Sequence, residues 1–187
     1  MKKFELTAES KINIFGKKLF RIKALISFGD VEEGETGGWI EKEENLEQSS
    51  GNAWVYGNAE VSGNARVSGD AEVSGNARVS GDAEVSGNAR VYGNVEVSGN
   101  ARVSGDAEVS GNADYTTIHG FGTQFRTTTF FQCEDKQIRV SCGCFLGTIP
   151  EFREQVKNTR EGKIAEEYLM IADLMEKHFV KEKESGE

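Results

Sequence analysis

The chain has 187 residues, 31 acidic and 22 basic side chains, a formal net charge of −9 and 22 glycines. This balance offers no basic stripe to a nucleic acid, and no apolar stretch approaches the roughly 20 residues that span a membrane. Three cysteines, all in the last third, build no disulfide framework, and no apolar run follows Met1-Lys2-Lys3, so a cytoplasmic protein is expected.

Residues 1–50 read as a β cap. Lys11-Ile-Asn-Ile-Phe15 and Leu19-Phe-Arg-Ile-Lys-Ala-Leu25 flank Gly16-Lys17-Lys18, a hairpin signal. Gly29-Asp30, Gly34 and Gly37-Gly38-Trp39-Ile40 follow, rich in turns and punctuated by aromatics. Such a segment suits the open end of a solenoid, which exposes unpaired backbone and an apolar lumen. The acidic run Glu41 to Glu47 reads as a solvated face.

From Gly51 to Thr116 a six-residue phrase, Gly-Asn/Asp-Ala-x-Val-Ser, recurs eleven times. A fixed short period is the signature of a solenoid. In Ala65-Arg66-Val67-Ser68-Gly69-Asp70, Ala65 and Val67 point to one face of a strand and Arg66 to the other. Ser-Gly-Asp is a corner, because glycine reaches positive φ and Asn or Asp tolerates it. Six residues bury nothing alone. Stacked coils, roughly 4.8 Å apart, bury a continuous Val/Ala column.

The outward charges set the number of phrases per coil. Their sign alternates: Glu60, Arg66, Glu72, Arg78, Glu84, Arg90, Glu96, Arg102, Glu108. Two or four phrases per coil would stack like on like. Three phrases place residue i beneath i+18 and oppose every Glu to an Arg, for example Glu72 to Arg90. Opposed pairs contribute about 0.2–1 kcal/mol and like pairs are unfavourable. Asp70, Asn88 and Asp106 share a column, so no two carboxylates stack. The expected fold is therefore mainly β, a triangular parallel β-helix with 18 residues per coil. Trp54, Tyr56 and Tyr92 replace short or charged outward residues. Tyr56 and Tyr92 lie two coils apart on one face, and all three are candidates for a subunit interface. Val95 replaces an inward Ala.

After Asn112 the phrase decays. Tyr115 takes the Val position, and residues 117–126 read as a glycine-bearing connector. Thr127-Thr-Thr-Phe-Phe-Gln-Cys133 and Gln137-Ile-Arg-Val-Ser-Cys142 read as two strands. Thr148-Ile-Pro-Glu151 is a capping box with Pro in the first turn, opening a helix. Gly162 interrupts, then Ile164, Tyr168, Ile171, Met175 and Phe179 recur at helical spacing. The expectation is a ββαα module over 127–180 and a disordered charged tail over 181–187.

Val-Ser-Gly-Asn-Ala-Arg resembles the hexapeptide repeat of left-handed parallel β-helices, in which an aliphatic residue is followed four places on by a small one. The resemblance implies a left-handed prism and a homo-oligomer, a trimer first and a dimer second. Phe20-Arg-Ile-Lys-Ala-Leu25, Phe28-Gly-Asp30 and Gly37-Gly-Trp-Ile40, leading into the repeat, look like phage and prophage proteins of low-G+C Gram-positive bacteria. Those carry a hexapeptide-repeat or transferase label that follows the repeat, not demonstrated chemistry. The fold also hosts acyltransferases, which use a histidine near a coil edge and an inserted loop, and γ-class carbonic anhydrases, which need three zinc histidines. Here residues 51–114 hold no His, no Cys and no insertion, and the chain has only His119 and His178.

His119 is thus the sole candidate base for acyl transfer, and a non-catalytic binding and oligomerisation protein is the leading expectation, with no cofactor and no DNA or membrane partner. The family context suggests a phage-encoded inhibitor of host defence that grips a host protein or sequesters a small nucleotide signal. A structural component of the virus particle is the third reading. The connector is the expected place for a ligand: His119, Phe121, Phe125, Arg126 and Arg139 combine exposed backbone, rings and cations that could pair with a phosphate. Cys133, Cys142 and Cys144 are weak candidates for a metal site, since zinc sites usually show two-residue spacers.

Overall fold

The computed structural model describes residues 2–179, so the tail expected over 181–187 lies outside the described residues. The N-terminal region forms strands β1 (Phe4–Ile12), β2 (Lys18–Ala24) and β3 (Thr36–Ile40), followed by a 3-10 turn at Glu43–Asn45. The first strand lies within residues 2–28, where strands are expected, but Asn13, Ile14 and Phe15 are not part of it: residues 13–17 are the hairpin turn. The reason is Asn13, whose Oδ1 accepts from the amides of Phe15 at 3.0 Å and Lys17 at 2.9 Å and so closes the corner.

Ten two-residue rungs follow: β4 (Trp54–Val55), β5 (Glu60–Val61), β6 (Arg66–Val67), β7 (Glu72–Val73), β8 (Arg78–Val79), β9 (Glu84–Val85), β10 (Arg90–Val91), β11 (Glu96–Val97), β12 (Arg102–Val103) and β13 (Glu108–Val109). They sort into three faces: β4-β7-β10-β13, β5-β8-β11 and β6-β9-β12. All pairings are parallel and 18 residues apart; Glu72 lies opposite Arg90, Glu60 opposite Arg78 and Glu84 opposite Arg102. This is a three-sided β-solenoid of about four coils, compatible with the hexapeptide-repeat β-helix. Every repeat Val from Val55 to Val109 and every inward Ala from Ala53 to Ala107, with Val95 among them, is buried. Side-chain amides form ladders at the corners, as in Asn88 Nδ2 donating to Asp106 Oδ1 at 2.9 Å. The corner glycines are needed twice over: Gly81 has φ +70, and a Cβ there would lie 2.9 Å from the backbone nitrogen of Gly99.

The solenoid starts within the cap. Trp39 and Ile40 pair in parallel with Glu60 and Val61, and Leu46 bridges Val67, so residues 39–46 form an incomplete first coil. Buried polar side chains satisfy the carbonyls this coil cannot reach. Asn45 Nδ2 donates to Gly63 O at 3.1 Å and Ala65 O at 2.8 Å, while its Oδ1 accepts from the Lys42 amide at 2.9 Å. Lys3 Nζ donates to Ala53 O at 3.1 Å, and burial holds its pKa below the ordinary value. Gly37 and Gly38 are required by close approach: Cβ atoms there would lie 2.6 Å from Trp54 and Val55 respectively.

At the other end, β14 (Tyr115–Phe121), β15 (Arg126–Gln132), β16 (Ile138–Cys142) and β17 (Phe145–Thr148) form an antiparallel sheet, followed by α1 (Ile149–Thr159) and α2 (Gly162–Phe179). The stretch 117–126, expected as a connector, is therefore mostly a strand and its turn; the β-branched run Thr116-Thr-Ile118 pairs against Thr128–Phe130. Strand alternation splits β15 between two cores. Phe131 joins the solenoid's Val/Ala column, and Phe130 joins the core beneath α1 and α2. The Thr148 hydroxyl accepts from the Glu151 amide at 3.3 Å and Glu151 returns to the Thr148 amide at 2.7 Å, the expected capping box. Among the described residues no helix is long and apolar enough to cross a membrane.

Candidate functional site

Two adjoining hollows lie in the C-terminal module. The first, about 440 Å³, is bounded by the sheet and the two helices; its lining includes Arg126, Cys142, Phe145, Phe152, Arg160 and Tyr168. The second, about 460 Å³, lies where the sheet meets the last coils; its lining includes Arg102, His119, Phe125, Arg126, Gly143 and Cys144. Arg126 and Cys144 border both.

Local structure explains the placement. Residues 122–125 turn the chain between β14 and β15, because Phe121 pairs with Arg126. That turn is packed onto α2: Tyr168 donates to Phe121 O at 3.2 Å, and a Cβ at Gly122 would lie 2.5 Å from the Tyr168 oxygen. Gly143, at φ +62, turns β16 into β17, and the Arg126 guanidinium fills the space its Cβ would take, 2.4 Å from that position. Arg102 reaches the Gly143 carbonyl from the solenoid side at 3.5 Å, so two guanidinium groups converge on one glycine. The junction is fixed by the Arg102 amide donating to Thr129 Oγ1 at 2.9 Å.

The charges in these hollows are unbalanced. Neither lining contains a carboxylate. Arg102 pairs with Glu84 at 3.2 Å. Arg126 has no carboxylate partner among the described residues, and the contact of Arg160 is with the Thr159 carbonyl at 2.9 Å. Burial, then the neighbouring Cys142, pushes the Tyr168 hydroxyl up, while Arg160 and Arg126 pull it down. Tyr168 therefore stays a neutral donor between two cations. Two guanidinium groups on one lining with no carboxylate beside them, Arg126 and Arg160, are the arrangement that carboxylates and phosphates satisfy. A third concavity, about 410 Å³, lies against the cap, but Glu43, Glu44 and Glu47 line it with Arg66 as its cation, which suits no anion.

Of the candidates read from the sequence, His119, Phe125 and Arg126 come together in the second hollow. Phe121 is half-buried and packs against the helical core. Arg139 is elsewhere. It lies an odd number of positions from Val140 and Cys142, so it faces away from the helices and pairs with Asp135 at 2.7 Å. His119 is exposed, and its Nδ1 lies 3.2 Å from Thr127 Oγ1.

Trp54 does not present itself to a partner subunit: it is fully buried beneath the cap, with Phe4 and Phe28 in edge contact at 6.1 and 5.4 Å. The outward position is covered because β1 and its neighbours fold over the first coil. Tyr56 is half-buried and burial pushes its hydroxyl up to about 12; Tyr92 donates to Glu108 at 2.8 Å. The cysteines are dispersed. Cys133 is in the solenoid core with its thiol pushed up to about 11 by burial, Cys142 is half-buried accepting from Thr128 Oγ1 at 3.2 Å, and Cys144 is exposed. Among the described residues no group of three or more His, Cys, Asp or Glu is arranged to hold a metal ion.

Arg160, Phe145 and Arg102 line the hollows and were not singled out in the sequence. Arg160 carried a faint signal, a cation in the break between two helices just before Gly162. Arg102 carried none, because it obeys the repeat. No protein family and no curated protein matches this sequence.

Proposed function

We propose that this is a non-catalytic binding protein that captures a small anionic ligand in the C-terminal module, with the β-solenoid serving as a rigid spacer and assembly platform. The observation that carries the reading is the pair Arg126 and Arg160, without carboxylate partners among the described residues, lining a cleft of about 440 Å³ that also holds Phe145, Phe152 and Tyr168. A cleft of this size is within the range of small-molecule sites. The resemblance to phage and prophage hexapeptide-repeat proteins supports a setting in the cytoplasm of an infected cell, with interference with host defence by sequestering a nucleotide-like signal as the use. The same resemblance supports a homo-trimer, with Tyr56 and Tyr92 on the flat face as its contact.

Calorimetric titration with inorganic phosphate, pyrophosphate and AMP tests capture. Binding that Arg126→Gln and Arg160→Gln each weaken, with the nucleotide recovered chemically unchanged, is the expected result. Absence of binding by all three probes ends the reading. Light scattering at micromolar concentration tests assembly, and a monomer refutes the trimer. His119, exposed beside the cleft, keeps acyl transfer as a second reading; acyl-CoA turnover that disappears in His119→Ala would favour it.

A further inference from the structure

The two hollows repeat the same set of parts. On the helical side stand Arg160 and Phe145; on the solenoid side stand Arg102 and Phe125; Arg126 borders both. Phe125 is the more telling ring. It is 65% exposed, belongs to neither core, and sits at φ +49, a region that a bulky residue rarely adopts. An exposed apolar ring on strained backbone is unfavourable on both counts, and among the described residues neither core takes the ring up. Such strain collects at ligand clamps, and a ring held in the open is a platform for stacking a base.

The charge count is specific as well. Among the described residues, three arginines, Arg102, Arg126 and Arg160, face one carboxylate, the Glu84 paired with Arg102. The excess is two positive charges, and Gly143 stands between Arg102 and Arg126 with no side chain to separate them. A single anion in the cleft would satisfy Arg126 and Arg160 and leave the solenoid-side arginine and ring unused.

We propose that one ligand occupies both hollows: a dinucleotide-sized molecule with a planar ring at each end and two phosphate anions between them. The inference rests on the capture reading above and names its ligand class. Phe125 and Phe145 stack the two rings. Arg126 lies at the shared wall and contacts both phosphates, with Arg160 and Arg102 each holding one. The module and the last coils of the solenoid then form a single site, across the junction where the Arg102 amide donates to Thr129 of the sheet.

The test is calorimetry on the full chain with AMP, linear pApA, cyclic di-AMP and NAD as probes. At least one dinucleotide binds about tenfold or more tightly than AMP, the gain expected from a second stacked ring, with one ligand per chain. Arg102→Gln and Phe125→Ala each reduce that dinucleotide to about the affinity of AMP. Phe125→Gly removes the same ring while relieving the backbone, so it reports on stacking in a chain that melts no lower than the parent. Dinucleotides that bind no tighter than AMP overturn the spanning ligand and leave anion capture standing. Failure of AMP and pyrophosphate together with every dinucleotide overturns both. Tight binding confined to longer single-stranded oligonucleotides overturns the dinucleotide in favour of a strand.

Discussion

The solenoid and the C-terminal module treat their arginines in opposite ways. In the prism each arginine is opposed by glutamate on the adjoining coil, as Arg90 is by Glu72 and Glu108. In the module, Arg153 is matched twice, by Asp173 and Glu176, while Arg126 and Arg160 are left without carboxylates in a cleft. Opposite charges alternate regularly over nine rungs of the prism, yet among the described residues two arginines that line the cleft have no carboxylate beside them. On the proposed reading, the contrast separates charge that serves the fold from charge held for a ligand.

The largest expected effect breaks the joint between the two regions. Phe131 is fully buried in the column that runs on from the solenoid. Phe131→Ala is expected to lose about 3–5 kcal/mol, because it leaves a cavity in the seal of the lumen. Chemical denaturation reads this directly, and a loss below 1 kcal/mol, at the scale of a surface change, would mean the sheet does not plug the prism. At the opposite end the seal is polar. Asn45→Ala strands two carbonyls and one amide inside the cap, at a cost of about 2–3 kcal/mol. A neutral Asn45→Ala would show that those groups find other partners.

A smaller effect sharpens the charge comparison. Arg90→Gln removes a cation opposed by two carboxylates and is expected to cost about 0.2–1 kcal/mol, a loss that fades in high salt. Arg126→Gln is expected to cost nothing in stability, since it relieves an unmatched charge while weakening phosphate binding. Equal destabilisation by both substitutions would erase the distinction.

The smallest effect is a titration. Glu151 accepts from the Thr148 amide and then its hydroxyl, and these bonds hold its carboxyl below the ordinary 4.5. A carboxyl depressed in the folded state adds stability above its unfolded value and loses it as pH falls through the folded one. The start of α1 should therefore loosen only in acid, below pH 4.5. Carboxyl NMR of Glu151 with amide exchange over residues 149–152 checks this; a midpoint at or above the ordinary value would contradict it.

How much was legible follows the same division. The 18-residue coil, the inward Val/Ala column and the Thr148–Glu151 cap could be read because each depends on a fixed spacing. Trp54 was misplaced because the outward side of the first coil is outward only until β1 covers it. The strand through residues 115–121 was hidden by Gly120 and Gly122, whose turn chemistry masked the pairing of Thr116-Thr-Ile118 with β15. Within the site, His119, Phe125 and Arg126 are close in sequence and were found together. Arg139 was wrongly grouped with them, since its face depends on the register of β16.

By itself the sequence determined the winding of the prism, because in a solenoid the distant contacts are a fixed offset along the chain, and alternating charge opposes Glu to Arg at three phrases per coil but not at two or four. The tertiary structure alone decided the cleft. Arg102, Arg126 and Arg160 come from a solenoid rung, a hairpin strand and the break between two helices, and no spacing rule relates them. What brings them to one place is the packing of the sheet on the last coils and of α1 and α2 on the sheet, which depends on side-chain shape rather than period.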